Sequence, residues 1–82
     1  MAITRYRSTR AKHWRNGSLT NLTRHPAGGT RFIAEVIDDR TGNTRTLDTT
    51  RHLIEIRQAG DWVPPTAWAA TTAPLFTVEN DR

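Results

Sequence analysis

The amino-acid sequence predicts a small α+β domain, an antiparallel β-meander of three to five strands with one short helix around residues 49–59. Residues 30–38 are rich in β-branched and aromatic residues, which favours a strand. Glycine, proline and asparagine mark turns along the first half of the chain. The chain has 82 residues and no cysteine, so we expect a single domain over residues 1–82 without disulfides. An SH3-like or other small barrel also fits these observations.

The first predicted strands contain few apolar residues. Asn16-Gly17 is a typical two-residue hairpin turn and would join a strand around residues 12–15 to one that starts at Ser18. A helix over residues 8–15 is the alternative. Pro26-Ala-Gly-Gly29 marks the next turn, which would pair residues 19–25 with residues 30–38.

The clearest predicted element is the hairpin that starts with residues 30–38. Phe32, Ala34 and Val36 alternate with other residues and would share one face of the strand. Gly42 and Asn43 tolerate the positive φ angles that tight turns need. Residues 44–48 are therefore predicted to return as the partner strand.

The segment after this hairpin has two interpretations. Asp48 or Thr49 is a suitable N-cap, and Gly60 is a suitable terminating residue, so the caps favour a helix. The alternation of residues 54–57 instead fits a strand.

The C-terminal part begins with a proline pair that interrupts regular structure. Residues 66–72 would then form a short helical turn. Residues 75–79 are predicted to return as a last strand at the edge of the sheet.

The charge is distributed unevenly along the chain. Residues 1–34 contain seven basic residues and no acidic residue, a formal charge of +7. Residues 35–82 contain five arginines and eight acidic residues, a formal charge of −3. Such asymmetry indicates a nucleic acid or an acidic protein surface as the partner. Large apolar residues are concentrated in residues 32–78, so we expect the core there and a flexible basic arm over residues 1–15. A second copy could complete the core, which would make the chain a homo-oligomer.

The sequence contains no recognisable catalytic or metal-binding pattern. The three histidines lie 12 and 27 residues apart, which is not the spacing of a helical metal site. Asp38-Asp39 lacks the remaining ligands of a calcium loop, and Gly28-Gly29 is too short for a phosphate loop. We therefore expect no enzyme activity, no metal and no cofactor. The chain has no run of about 18–20 apolar residues and no secretory signal, so we expect a cytoplasmic protein without a membrane span.

Residues 6–15 carry the strongest functional signal, because they interleave cations and hydroxyl groups with two aromatic residues. Arginine and lysine neutralise phosphates, and tyrosine or tryptophan can stack on an unpaired base. We therefore expect a small nucleic-acid-binding module that uses its basic N-terminal segment for phosphate contacts. The predicted contact residues are Arg5, Tyr6, Arg7, Arg10, Lys12, Trp14, Arg15, Arg24 and Arg31.

Two alternatives belong to other functional classes. In the first, the chain is an accessory or inhibitor protein of a phage or mobile element that binds a host protein. Its contact surface would be a ridge of tryptophans and prolines, since tryptophan is enriched in binding hot spots. The residues of this ridge are Trp62, Pro64, Pro65 and Trp68. In the second, the chain is a structural subunit of a larger assembly.

Overall fold

The computed structural model describes residues 2–72 and 78–79 as a mostly antiparallel sheet with one short helix. The sheet has the order β4-β3-β2-β1-β5-β6, and the short strand β7 pairs in parallel with β2. The predicted fold class is confirmed, although the strands outnumber the expected three to five. The elements are β1 (Ala2–Ser8), β2 (Arg15–Arg24), β3 (Phe32–Asp38), β4 (Thr44–Asp48), β5 (His52–Gln58), β6 (Asp61–Val63), α1 (Pro65–Thr72) and β7 (Val78–Glu79).

The hairpin of β3 and β4 is confirmed, as is the antiparallel pairing of β2 with β3. Phe32, Ala34 and Val36 are buried on one face of β3, as their alternation predicts. Gly42 has a φ of +75°, and its N–H donates to the carbonyl oxygen of Asp38 at 2.8 Å. The turn between β3 and β4 therefore depends on the glycine that the sequence pointed to.

The prediction that residues 1–15 form a flexible arm is wrong for residues 2–8. These residues form β1, which is paired with β2 on one side and with β5 on the other. Thr4 and Tyr6 are buried in this strand. Backbone pairing on both sides holds β1 in the sheet although its residues are mostly polar.

The predicted Asn16-Gly17 turn is also wrong, as is the alternative helix over residues 8–15. Both residues lie inside β2, and the connection from β1 runs through residues 9–14. Gly17 is needed there for a different reason. A Cβ atom at this position would lie 2.5 Å from the Ile37 carbonyl oxygen and 2.6 Å from Val36 Cγ1. The glycine therefore allows β2 and β3 to approach closely.

We expect Gly17→Ala to destabilise the fold by about 1–3 kcal/mol, because the added methyl group would overlap the β3 backbone. Chemical denaturation monitored by tryptophan fluorescence would measure the change, with Ser18→Ala on the neighbouring position as control. An unchanged unfolding midpoint for Gly17→Ala would contradict the close approach of the two strands.

The predicted helix around residues 49–59 is wrong, because this segment forms β5. The capping residues have their expected properties but serve turns. Asp48 Oδ1 accepts a hydrogen bond from the Thr50 N–H at 2.8 Å, which closes the turn before β5. Ala59 and Gly60 have φ angles of +51° and +87° and form the tight connection to β6. A glycine with positive φ ends a helix and turns a hairpin equally well.

Ala59 carries backbone strain, since a residue with a Cβ atom rarely adopts positive φ. We expect Ala59→Asn to raise the free energy of unfolding by about 0.5–1 kcal/mol, because asparagine followed by glycine suits this turn. Thermal melting would show the gain as a higher midpoint. A lower midpoint would mean that Ala59 makes packing contacts worth more than the relief of strain.

The sheet is strongly curved, as the connection between β4 and β5 requires. These strands are four positions apart in the sheet order, which is about 19 Å in a flat sheet. The connecting residues 49–51 can span only about 14 Å between the strand ends. The sheet must therefore curl, and its concave face encloses the core.

The core combines residues of both parts of the chain. Eight of the eleven buried core residues among those that the structure describes lie within residues 32–78, where the sequence predicts the core. The other three come from β1 and β2, and an irregularity at Thr20 allows Leu19 and Leu22 to be buried together. The core residues are Tyr6, Leu19, Leu22, Phe32, Ala34, Val36, Leu47, Ile54, Ile56, Trp68 and Ala69.

The C-terminal helix α1 covers this core with Trp68 and Ala69 and agrees with the short helix expected over residues 66–72. Pro65 opens the helix at a position where its missing N–H costs no hydrogen bond. The predicted last strand is described only at residues 78–79, which pair with β2, and residues 75–77 lie outside the described residues. Within residues 2–72 and 78–79, no helix has the length and apolar character needed to cross a membrane.

Candidate functional site

Five strands each place one polar residue on the concave face of the sheet, next to the apolar core. The strand register shows the pattern, since Ser8 lies opposite His52 and Arg45 opposite the buried Val36. Arg15 lies opposite the buried Tyr6 in the same way. We call this set the polar mouth. It consists of Ser8, Arg15, Asp38, Arg45 and His52.

Asp38 organises the polar mouth. Its side chain is almost fully buried, and its Oδ2 accepts a short hydrogen bond from the Tyr6 hydroxyl. Its Oδ1 accepts hydrogen bonds from the N–H groups of Arg40 at 2.8 Å and Thr41 at 3.2 Å. Arg15 Nη1 lies 3.7 Å from Oδ2. One carboxylate therefore joins β1, β2, β3 and the turn that follows β3.

These contacts change the acidity of both partners. The hydrogen bond from Tyr6 holds the pKa of Asp38 below its ordinary value, with further help from the turn N–H groups and Arg15. Burial raises the pKa of Tyr6, and the hydrogen bond to Asp38 raises it further. At neutral pH, Asp38 is therefore a charged acceptor and Tyr6 a neutral donor.

A groove of about 320 Å³ opens beside the polar mouth. Its cationic and imidazole groups come from β1, β2, β4, β5 and the loop after β1, and Tyr6 and Ala11 complete the wall. No carboxylate is among its described lining residues. We call it the basic groove, and the polar side chains that line it include Arg7, Ser8, His13, Arg15, Arg45 and His52.

The outer face of β1 is occupied by a different cluster. The Arg5 guanidinium lies 4.5 Å from the Trp14 ring centre and 4.4 Å from that of Trp62, and it also forms an ion pair with Glu55. Arg57 lies 5.2 Å from the Trp62 ring centre. Such cation–π contacts stabilise by about 0.5–1 kcal/mol each at exposed sites. The arginines of this arginine–tryptophan cluster are therefore already engaged by the tryptophan rings and by Glu55.

Arg7 connects the cluster to the basic groove. Its guanidinium lies 5.0 Å from the Trp14 ring centre, and its Nη1 donates to the Ala11 carbonyl oxygen at 2.7 Å. Arg7 thereby fixes the loop over residues 9–14, which carries the exposed Arg10 and Lys12. The loop is held against the sheet beside the basic groove.

The structure divides the predicted nucleic-acid contacts into three groups. Arg7 and Arg15 meet in the basic groove, and Arg10 and Lys12 are exposed on the adjoining loop. Tyr6 is buried, so its ring has no face for a base, which corrects its predicted stacking role. Residues placed elsewhere are Arg5 and Trp14 in the outer cluster, Arg24 beside Phe32, and Arg31 in the loop before β3.

Sequence reasoning missed Arg45, His13 and His52 as groove residues. Arg45 could have been found from the hairpin register, because an arginine opposite an inward valine must point to the concave face. His52 was missed because its segment was assigned to a helix. His13 lies in an irregular loop for which the sequence carries no positional signal.

The predicted protein-binding ridge is not assembled as one exposed surface. Pro65 and Trp68 are buried, where Trp68 packs in the core. Trp62 is half-buried under Arg5 and Arg57, and Pro64 alone of the four is exposed. The reason is that α1 begins at Pro65 and turns Trp68 inward.

Neither metal-ligating side chains nor comparison with known proteins assigns a function to the chain. No group of three or more potential metal-ligating side chains occurs within the part of the chain that the structure describes. Comparison with protein-family models, with curated proteins and with solved structures gives no match.

The link between Tyr6 and Asp38 predicts a specific pH dependence of stability. The pKa of Asp38 is lowered in the folded state. Its contribution to the free energy of unfolding is therefore complete above the unfolded-state pKa of about 3.9 and is lost as the pH falls through the folded-state pKa. Because the pKa of Tyr6 is raised, its contribution is complete below about 10 and disappears at higher pH.

Below about pH 4, Tyr6→Phe should lose less stability with falling pH than the unchanged protein does, because the main cause of the low Asp38 pKa is removed. Urea unfolding midpoints across this acid range would measure it, with Thr46→Ala on exposed β4 as control. If this hydrogen bond did not control the pKa of Asp38, Tyr6→Phe and the unchanged protein would lose stability equally as the pH falls.

Proposed function

We propose that the chain is a small non-enzymatic module that binds nucleic acid through phosphate contacts in the basic groove. One observation carries the proposal. Arg7, Arg15 and Arg45, which are distant in sequence, converge on one groove whose described lining contains no carboxylate. A concave surface of one charge sign concentrates counter-charged ligands.

The surroundings of the groove extend its positive charge. Arg10 and Lys12 are exposed on the loop that Arg7 holds beside the groove. The exposed Asp39 lines a neighbouring pocket with Arg15 and is not part of the basic groove. Asp38 is buried and already accepts hydrogen bonds from Tyr6 and two backbone N–H groups. Its negative charge is paired with Arg15 at 3.7 Å, and the guanidinium groups of Arg7 and Arg45 add positive charge to the groove.

The architecture of the sheet is compatible with a ligand in the basic groove. The strand order and the curvature of the sheet support an SH3-like barrel, which the sequence left open. In this arrangement the concave face is filled by the core, and the polar mouth lies where the core ends. A ligand in the basic groove would contact side chains on β1, β2, β4 and β5 without disturbing the core.

Arg45→Ala tests the proposal with a charge-matched control, Arg24→Ala. Arg45 lines the groove and is exposed on the edge strand β4, whereas Arg24 lies nine residues along β2 from the groove residue Arg15. We expect Arg45→Ala to weaken binding roughly three- to tenfold and to reduce the slope of log K against log salt by about 1. Arg24→Ala should change neither quantity appreciably.

Fluorescence anisotropy with labelled single-stranded and duplex oligonucleotides, at about 50 mM and about 200 mM salt, would measure both quantities. Thermal melting of each variant confirms that the fold is retained. Equal losses of affinity for Arg45→Ala and Arg24→Ala would mean that the nucleic acid does not bind in the basic groove. Absence of binding to every oligonucleotide at low salt would overturn the proposed function.

A further inference from the structure

A second groove of about 500 Å³ lies next to the basic groove and differs from it in chemistry. Its lining includes one cation, Arg31, and several threonine hydroxyl groups, together with apolar side chains of β5 and the prolines before α1. No carboxylate occurs among the described residues of its lining. We call it the threonine-rich groove, and the residues used below are Arg31, Thr49, Thr50, Leu53, Pro64 and Thr66.

His52 belongs to both grooves and lies at their junction. Its Nδ1 atom is buried and has no hydrogen-bond partner among the described residues. A ligand that passes from one groove to the other would cross this imidazole.

We propose that a single-stranded nucleic acid lies through both grooves and crosses His52 between them. This inference rests on the proposed function and names the form of nucleic acid that the site accepts. Phosphates would contact Arg15 and Arg45 in the basic groove and Arg31 in the threonine-rich groove. The imidazole of His52, which lines both grooves, would contact the nucleotide that bridges the two.

The shape of the site favours a single strand over a duplex. Duplex DNA is usually read by a helix or β-ribbon that protrudes into its roughly 12 Å wide major groove. Here the groove cations line a recess, and recesses of about 320 and 500 Å³ have the size of small-ligand pockets. Each can admit one or two nucleotides of a flexible strand, whereas the phosphates of a rigid duplex would remain outside.

The threonine-rich groove also supplies contacts that suit unpaired nucleotides. The hydroxyl groups of Thr49, Thr50 and Thr66 can donate to phosphate or sugar oxygens. Leu53 is 41% exposed on β5, and Pro64 is exposed beside it in the same lining. These apolar side chains offer a surface to base faces, which are accessible only where bases are unpaired.

Fluorescence anisotropy at about 50 mM salt tests the inference with labelled oligothymidylates of roughly 2, 8 and 12 nucleotides and a duplex hairpin as probes. We expect single strands to bind at least about tenfold more tightly than the hairpin. Arg31→Ala should weaken the longer strands several-fold but leave the shortest unchanged, because the shortest strand fits within the basic groove. Arg57→Ala, in the outer arginine–tryptophan cluster, serves as the charge-matched control.

His52→Ala should weaken single-strand binding several-fold, because the imidazole lines both grooves at their junction. Thermal melting confirms the fold of this variant. Equal affinity for hairpin and single strands, or an Arg31→Ala variant that binds every length normally, would overturn the inference. If Arg45→Ala still weakened binding in that case, the proposed function would stand. If no probe bound at all, both would fall.

Discussion

The hydrogen bond between Tyr6 and Asp38 is the interaction on which the arrangement of the sheet most depends. It joins β1 to the end of β3 across the intervening strand β2, and it is buried. The same carboxylate holds the turn after β3 through two backbone N–H groups. A buried charge is tolerated only when it is paired and hydrogen-bonded, so Asp38 restrains every group that satisfies it.

This constraint also determines the character of the site. Because Asp38 is engaged below the surface, Arg15 and Arg45 are left at the concave surface beside it. The outer face of the same sheet shows the opposite outcome, since Arg5 is held between Trp14 and Trp62 and is paired with Glu55. Arginines on the outer face of the sheet thus stabilise the protein, whereas Arg15 on β2 and Arg45 on β4 line the basic groove.

The sequence predicted those parts of the fold in which local residue preferences and long-range pairing agree. The β3–β4 hairpin has alternating apolar residues and a glycine with positive φ, so both signals lead to the same answer. β1 has few apolar residues, and its place in the sheet comes from backbone pairing with two distant strands. Gly60 shows a further limit, because its conformation fits a helix end and a hairpin turn alike.

The candidate site was predictable only in part for the same reason. The basic N-terminal segment was evident from composition, and Arg7 and Arg15 do reach the groove. Arg45 and His52 lie far from that segment along the chain, and strand register and sheet curvature bring them into the groove. Composition identifies which residues carry charge, whereas the pairing of strands decides which charges face the same space.

A nuclear magnetic resonance titration of the isotope-labelled protein with oligothymidylate tests the central claim most directly. The account predicts that the largest amide shift changes occur at residues of the basic groove, including Ser8, His13, Arg15 and Arg45, and at His52. Signals of Arg5, Arg57 and Trp62 in the outer arginine–tryptophan cluster should change little. Shift changes confined to the outer face, or centred on Arg24, would contradict the assignment of the concave basic groove as the binding site.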